Sequence, residues 1–171
     1  EFWEALSVTC TRQLPVLFLV EDNGYAISVP VEVETPGGDI SRLVQSFPGL
    51  YVATVDGTDF LASYRAMLDA VAHVRARKGP ALVHAHVVRP YSHSLSDDEK
   101  LYKTPAEREA EARRDPIRRF TEFLVANTVA TPAELASLTA EIAREIDEAA
   151  QAAIQAAKPA KSTAAPYVYS P

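Results

Sequence analysis

A strand, a helix and a second strand in immediate succession restrict this fold more than any other feature of the sequence. Tyr51-Val52-Ala53-Thr54-Val55 has strand composition and is closed by the turn signal Asp56-Gly57. From Phe60 to Lys78, Leu61, Tyr64, Leu68, Val71 and Val74 recur at helical spacing. Gly79-Pro80 then introduces a valine-rich run, Ala81-Leu82-Val83-His84-Ala85-His86-Val87-Val88. A connection of this length predicts parallel pairing through a right-handed crossover. Leu17-Phe18-Leu19-Val20, an unbroken apolar run after Pro15, reads as a further strand buried on both faces. Asp39 to Phe47 is expected to supply a short helix before the Tyr51 strand.

After residue 104 the pattern becomes helical. Thr104-Pro105-Ala106-Glu107 and Thr131-Pro132-Ala133-Glu134 are both capping boxes with proline at the first helical position. The second launches a helix with Leu135, Leu138, Ile142, Ile146 and Ala150 on one face, running towards Ala157. Asp115-Pro116 starts another, marked by Ile117, Phe120, Phe123 and Leu124. The reading is therefore part of an α/β domain over 1–104, a helical region over 105–157, and a linker or junction over 158–171. Glu1-Phe2-Trp3-Glu4-Ala5-Leu6 opens in helical pattern without a cap, which suggests a segment of a longer chain.

Charge and composition exclude several classes. A net charge of −6 and a pI near 5.2 argue against a phosphate-coating surface, so no nucleic-acid partner is expected. No apolar run approaches bilayer length, so no membrane partner is expected either. Cys10 is the single cysteine and cannot form an internal disulfide. With no signal-peptide pattern at the start, the expected compartment is the cytoplasm.

Ligands of open parallel sheets bind beyond the carboxyl ends of the strands, and two unusually polar loops lie there. The first is Glu21-Asp22-Asn23-Gly24-Tyr25-Ala26-Ile27-Ser28. The Asn23 amide oxygen and the Tyr25 carbonyl, redirected by a tight turn at Gly24, could converge on a hard cation such as Mg2+. Asn-Gly is equally a plain turn signal. The second loop, Arg89 to Asp98, carries Arg89, His93 and three serines, which suit a phosphate or carboxylate, or else a solvated polar loop.

Other candidates are weaker. His84 and His86 fall on one strand face and could join His93 at a metal. With no cysteine or suitably spaced carboxylate beside them, two packed histidines is the better reading. Cys10 reads as a buried small hydrophobe, His73 as an exposed or half-buried helix residue, and Glu107 to Arg114 as a solvated helix face. No Walker loop, G-x-G-x-x-G or G-x-S-x-G is present.

Taken together, the segments resemble the α subunit, or the α region of a fused enzyme, of thiamine-diphosphate-dependent 2-oxoacid dehydrogenases (E1 components). The resemblance rests on Glu1 to Leu6, Pro15 to Ser28, Val55-Asp56-Gly57, Lys78-Gly79-Pro80, Arg89 with His93-Ser94-Leu95-Ser96-Asp97, and Asp115-Pro116-Ile117. It implies a parallel-sheet thiamine-diphosphate-binding fold, present in part and followed by C-terminal helices. It also implies thiamine diphosphate and Mg2+ as cofactors, with Asn23 and the Tyr25 carbonyl as metal ligands. Ile27 would be the apolar support beneath the thiazolium, His93 the catalytic histidine, and Arg89 the residue that orders its loop. Ser94 falls where mitochondrial relatives are phosphorylated.

Two departures stand out. Asp22 replaces the first of the family's paired asparagines and is expected to point away from the metal. The family's Gly-Asp-Gly metal element does not occur in the chain. Tyr167 to Pro171 resembles a junction into a β region.

The implied reaction is decarboxylation of a 2-oxoacid followed by reductive acylation of a lipoyl group. The implied partners are an E1 β subunit or fused β region and the lipoyl domain of the E2 acyltransferase, in a dimeric or α2β2 assembly. The segment alone is expected to be inactive. Asn-Gly-Tyr-Ala-Ile-Ser favours the branched-chain enzymes over a pyruvate-type E1. A non-catalytic α/β-helical interaction module is the reading from a different class. The enzyme reading requires Asn23 and His93 to face one diphosphate-sized hollow.

Overall fold

A computed structural model describes residues 1–164 and 166; the junction expected at Tyr167 to Pro171 lies outside them. The chain divides into two compact units, residues 1–123 and residues 124 onward.

The first unit is α/β. Helix α1 (Phe2–Arg12) leads to strand β1 (Leu17–Asp22), a short antiparallel pair β2 (Tyr25–Ala26) and β3 (Val29–Pro30), and the single helical turns α2 (Val31–Glu34) and α3 (Ile40–Leu43). Strand β4 (Tyr51–Asp56), helix α4 (Phe60–Arg75) and strand β5 (Ala81–His86) follow as the predicted strand–helix–strand unit. Helix α5 (Pro105–Arg113) completes the unit, and α6 (Pro116–Ala126) runs across the division. The main sheet has the order β1-β5-β4, with both pairings parallel as expected.

Strand β5 is central and buried throughout except at His86, whereas β1 is an edge strand and only half-buried, with Leu19 47% exposed. The expectation that Leu17 to Val20 is buried on both faces is thus corrected. A continuous apolar run specifies a strand, but its place in the sheet order decides how much of it is covered.

Alternation along the strands gives each sheet face its own core. Leu82, Phe18, Val20 and Val52 pack with Leu6 and Cys10 of α1 and with Val44. Ala81, Val83, Leu17, Tyr51, Ala53 and Val55 pack with Ala66, Met67, Ala70 and Val74 of α4. The α4 stripe differs from the predicted one: Leu61, Tyr64 and Leu68 are 37 to 54% exposed, and smaller residues face the sheet. Alanines allow the helix axis to lie close to the pleated surface, so the larger apolar side chains turn outward. Cys10 is buried, and His73 is half-buried with its ring stacked on Tyr51 at 5.1 Å.

At the amino end of the sheet, Gly79 has φ +117°. A Cβ there would stand 2.7 Å from the Gly49 carbonyl oxygen, so the two strand entries approach as closely as they do only because no side chain intervenes.

In the second unit the turn after α6 is closed by the Val129 N–H donating to the Leu124 carbonyl at 2.9 Å, with Thr128 at φ 56°. Helix α7 (Pro132–Gln155) starts at the predicted Thr131–Glu134 capping box. Its apolar stripe is largely exposed, Leu138, Ile142 and Ile146 lying at 47 to 62%. A short 3-10 turn, Lys161–Thr163, follows it. No helix of the described residues is long and apolar enough to cross a membrane.

Candidate functional site

All three strands of the sheet end in polar loops on one edge. After β1, Gly24 sits at φ +78°, a conformation glycine reaches without steric cost. The turn around it is stitched locally: the Gly24 N–H donates to Asp22 Oδ1 at 2.8 Å and the Tyr25 N–H donates to Asn23 Oδ1 at 3.1 Å. The Asn23 amide oxygen therefore serves its own turn, with a second lone pair left to accept or coordinate. The β2–β3 pair then turns through Ile27, which is 54% exposed and at φ 57°. A β-branched residue in the left-handed region is a true outlier and strained.

Arg89, three residues beyond β5, holds that strained turn. One guanidinium nitrogen donates to the Ile27 carbonyl at 2.8 Å and another to Tyr102 Oη at 2.6 Å. Tyr102 Oη in turn donates to Asp97 Oδ2 at 2.6 Å, and the same carboxylate oxygen accepts the His93 N–H at 2.8 Å. The Tyr102 hydrogen bond and that from His93 hold Asp97 below the usual carboxylate range. Three residues, Arg89, Tyr102 and Asp97, thus link the Ile27 turn to the backbone of His93. His93 and Ser94 are exposed, and Ser94 Oγ is 3.1 Å from Ser96 Oγ.

Below this chain lies a second clamp that the sequence reading missed. Tyr25 Oη donates to Glu107 Oε1 at 2.6 Å, and that bond, with burial, pushes the Tyr25 phenol up to about 12. Lys103 is buried, with Nζ 2.5 Å from Glu111 Oε2, 3.8 Å from Glu99 and 5.1 Å from the centre of the Tyr25 ring. The Arg89 guanidinium stands 5.8 Å from both the Tyr25 and Tyr102 ring centres. The run Glu107 to Arg114 is accordingly more than a solvated face: Glu107 and Glu111 reach Tyr25 and Lys103, and the exposed Arg114 reaches Asp56. Their spacing from Lys103 onward along one helical stripe was the available signal.

At the end of β4, Asp56 Oδ1 accepts from the Thr58 N–H, Thr58 Oγ1 and Arg114 at 3.0, 2.7 and 3.2 Å. Burial alone would raise Asp56, but the Thr58 hydrogen bonds and the Arg114 charge outweigh it and hold the carboxyl at about 2.

Asp22 is turned towards β5. Its Oδ2 lies 2.9 Å from His84 Nε2 and 4.0 Å from His86 Nδ1, so the carboxylate that the strand histidines lacked in sequence is supplied across the sheet.

A hollow of about 430 Å³ opens beside the first loop, lined by Asp22, Asn23, Gly24, Tyr25, Glu32, His86, Glu107, Glu111 and Arg114 among others. Asn23 and Tyr25 line it together. His93, Arg89 and Ile27 are not among its lining residues, so the expectation that Asn23 and His93 face one hollow is corrected: only the His93 backbone is connected to the Ile27 turn, through Asp97, Tyr102 and Arg89. Four carboxylates against one arginine and one histidine make the hollow suited to a cation, or to an anion that arrives with its cation.

Comparison with known proteins agrees with this architecture. A family model for the dehydrogenase E1 component matches residues 1–162. The chain is 32% identical over 149 residues to the protein named pyruvate dehydrogenase E1 component subunit alpha from Mycoplasma genitalium, covering 87% of this chain and 41% of that protein. The human mitochondrial somatic form of the same subunit is 31% identical over 171 residues, covering 99% and 43%. The chloroplastic alpha-3 subunit from Arabidopsis thaliana is 33% identical over 164 residues, covering 95% and 37%. The chain spans about two fifths of the length of these relatives. With nearly its whole length inside the family model, the chain belongs to the dehydrogenase E1 component family.

Proposed function

We propose that this chain forms the α side of an E1 enzyme that decarboxylates a 2-oxoacid with thiamine diphosphate and Mg2+ and passes the acyl group to a lipoyl domain. The observation that carries the reading is the fastening of the two loops, Ile27 to His93 through Arg89, Tyr102 and Asp97, within a chain of this family.

The residues present fit the cofactor. Asn23 offers a hard amide oxygen beside a carboxylate-lined hollow, and Arg89 Nε is buried with no hydrogen-bond partner among the described residues. A buried, orphaned guanidinium N–H suits an anionic oxygen. When bound, thiamine diphosphate supplies the carbanion and electron-sink chemistry of the reaction.

The chain's own residues do the positioning. Asn23 and the Tyr25 carbonyl would hold Mg2+, Arg89 would face the diphosphate while pinning the Ile27 carbonyl, and Ile27 would lend an apolar surface. His93 would hold or move a proton at its imidazole. An E1 β subunit or fused β region would complete the site, the lipoyl domain of the E2 acyltransferase would receive the product, and the assembly would be a dimer or α2β2 in the cytoplasm.

For the substrate, the relatives' names favour pyruvate, while the Asn23 to Ser28 stretch favours a branched-chain 2-oxoacid such as 2-oxoisovalerate. Comparing kcat/KM for the two acids in the complete enzyme decides between them. Asn23→Ala in that enzyme tests the reading itself. It should weaken Mg2+ and thiamine diphosphate binding at least about tenfold with the fold intact. Unchanged affinity overturns the cofactor assignment and leaves an interaction module.

A further inference from the structure

Asp22, His84 and His86 stand together on one sheet face and include none of the residues assigned to thiamine diphosphate. Parallel register sets Asp22 opposite His86, and two-residue spacing along β5 puts both imidazoles on the same side, their ring centres 4.3 Å apart. One donor atom from each residue can be chosen so that all lie within 4.8 Å of one another. A bound ion with ligand distances of about 2.0–2.2 Å needs donors roughly 3–3.5 Å apart, so closure requires shifts of about an ångström. His86, 46% exposed, has the room to make them.

The surroundings supply what such a site needs beyond its ligands. The Asp22 carboxylate is oriented by the Gly24 N–H on its other oxygen. His84 is fully buried, yet its Nδ1 has no hydrogen-bond partner among the described residues and stands 3.5 Å from Asp39 Oδ1. If Nε2 coordinates a metal, Nδ1 carries the ring proton and Asp39 becomes its acceptor, the carboxylate–histidine–metal arrangement that fixes ring tautomer and orientation. Asp22 and His86 line the 430 Å³ hollow, which gives an ion a way in and leaves space for water at the remaining positions.

We propose that Asp22, His84 and His86 bind one divalent transition-metal ion, with Asp39 orienting His84. Two imidazoles and one carboxylate with open positions suit Zn2+, Fe2+ or Co2+, whereas Mg2+ prefers oxygen ligands throughout. The ligand set shares no residue with the thiamine diphosphate assignment, although Asp22 and His86 border the same hollow as Asn23 and Tyr25. Occupied, it fastens the root of the Asn23 turn to the central strand.

The test is a Co2+ titration of the chelator-treated complete enzyme, with Mg2+ in large excess and followed by visible absorption. The expected result is a d–d band of nitrogen–oxygen coordination that saturates at one ion per chain and is displaced by Zn2+. His86→Gln, a half-exposed change that leaves the core untouched, should abolish the band. Asp39→Asn should keep it and weaken binding about 10- to 100-fold. A titration with no such band, or a band unchanged in His86→Gln, overturns the proposal.

Discussion

The loop after β1 is closed by hydrogen bonds that span two residues, Asp22 to Gly24 and Asn23 to Tyr25. The loop after β5 depends on a bond that reaches across 62 residues, from Arg89 to Ile27, and on Tyr102 and Asp97 further along. The turn at Asn23 takes its shape from local chemistry, while Tyr25 and Ile27 beyond it are also tied to Glu107 and Arg89. The second loop is fastened within itself and, through Arg89, to a distant element. A site built across the two has one preset half and one conditional half, and the condition is met at Arg89.

Removing the bridge should produce the largest effect. Arg89→Ala in the complete enzyme should lower turnover about 100-fold, since small misplacements of catalytic groups have effects of that size. Lysine should recover only part of it, because an ammonium cannot reach Ile27 and Tyr102 in the same planar fork. Steady-state kinetics, with limited proteolysis of residues 90–103, measures both consequences. Full activity in Arg89→Ala would mean that the second loop is preset as well.

A smaller loss tests the same conditional half from its far end. Asp97→Asn keeps the shape but removes the charge that accepts from His93 and Tyr102, and charge-assisted bonds are about twice as strong as neutral ones. Turnover should fall about tenfold, with kcat rather than KM carrying the change and protease sensitivity confined to the His93 loop.

The preset half should respond to pH instead. The Tyr25 phenol sits at about 12, above its ordinary value of 10.0, because its proton is held by Glu107. A raised pKa favours the protonated form in the folded state. The stabilisation is therefore complete below pH 10 and is lost as pH rises from 10 to about 12. Thermal melts across that window should show the decline in the parent protein, and Tyr25→Phe should remove this component of it.

The smallest effect belongs to Ile27. Asparagine tolerates the left-handed conformation, so Ile27→Asn should relieve about 1 kcal/mol of strain and raise the melting temperature by a few degrees. If the isoleucine side chain supports the cofactor, activity should fall at the same time. A melting temperature that drops instead would show that the turn is unstrained and that Arg89 restrains nothing.

The contrast also explains what could be read in the sequence. The β4–α4–β5 unit, the capping boxes at Thr104 and Thr131, and the polar loops after β1 and β5 rest on near-neighbour chemistry, and all appear where expected. The edge position of β1, the outward turn of Leu61, Tyr64 and Leu68, and the inward reach of Glu107 and Glu111 depend on what lies opposite in space. So does the contact of Asp22 with two histidines on the neighbouring strand. Asn23 and His93 were each identifiable as polar loop residues. Their connection was not, because it runs through Tyr102, which belongs to no motif, and through hydrogen bonds that spacing does not reveal.

Surface loops ordinarily absorb insertions without harm. The segment joining Tyr102 to α5 should not, since Lys103 lies beneath the Tyr25 ring and Glu107 and Glu111 must arrive on the matching side of the helix. A residue inserted within α5 ahead of Glu107 would swing that acidic pair about 100° around the axis and unseat both, and one added before Thr104 would shift Lys103 away from Glu111. Chain length between these points is therefore as tightly specified as the side chains themselves.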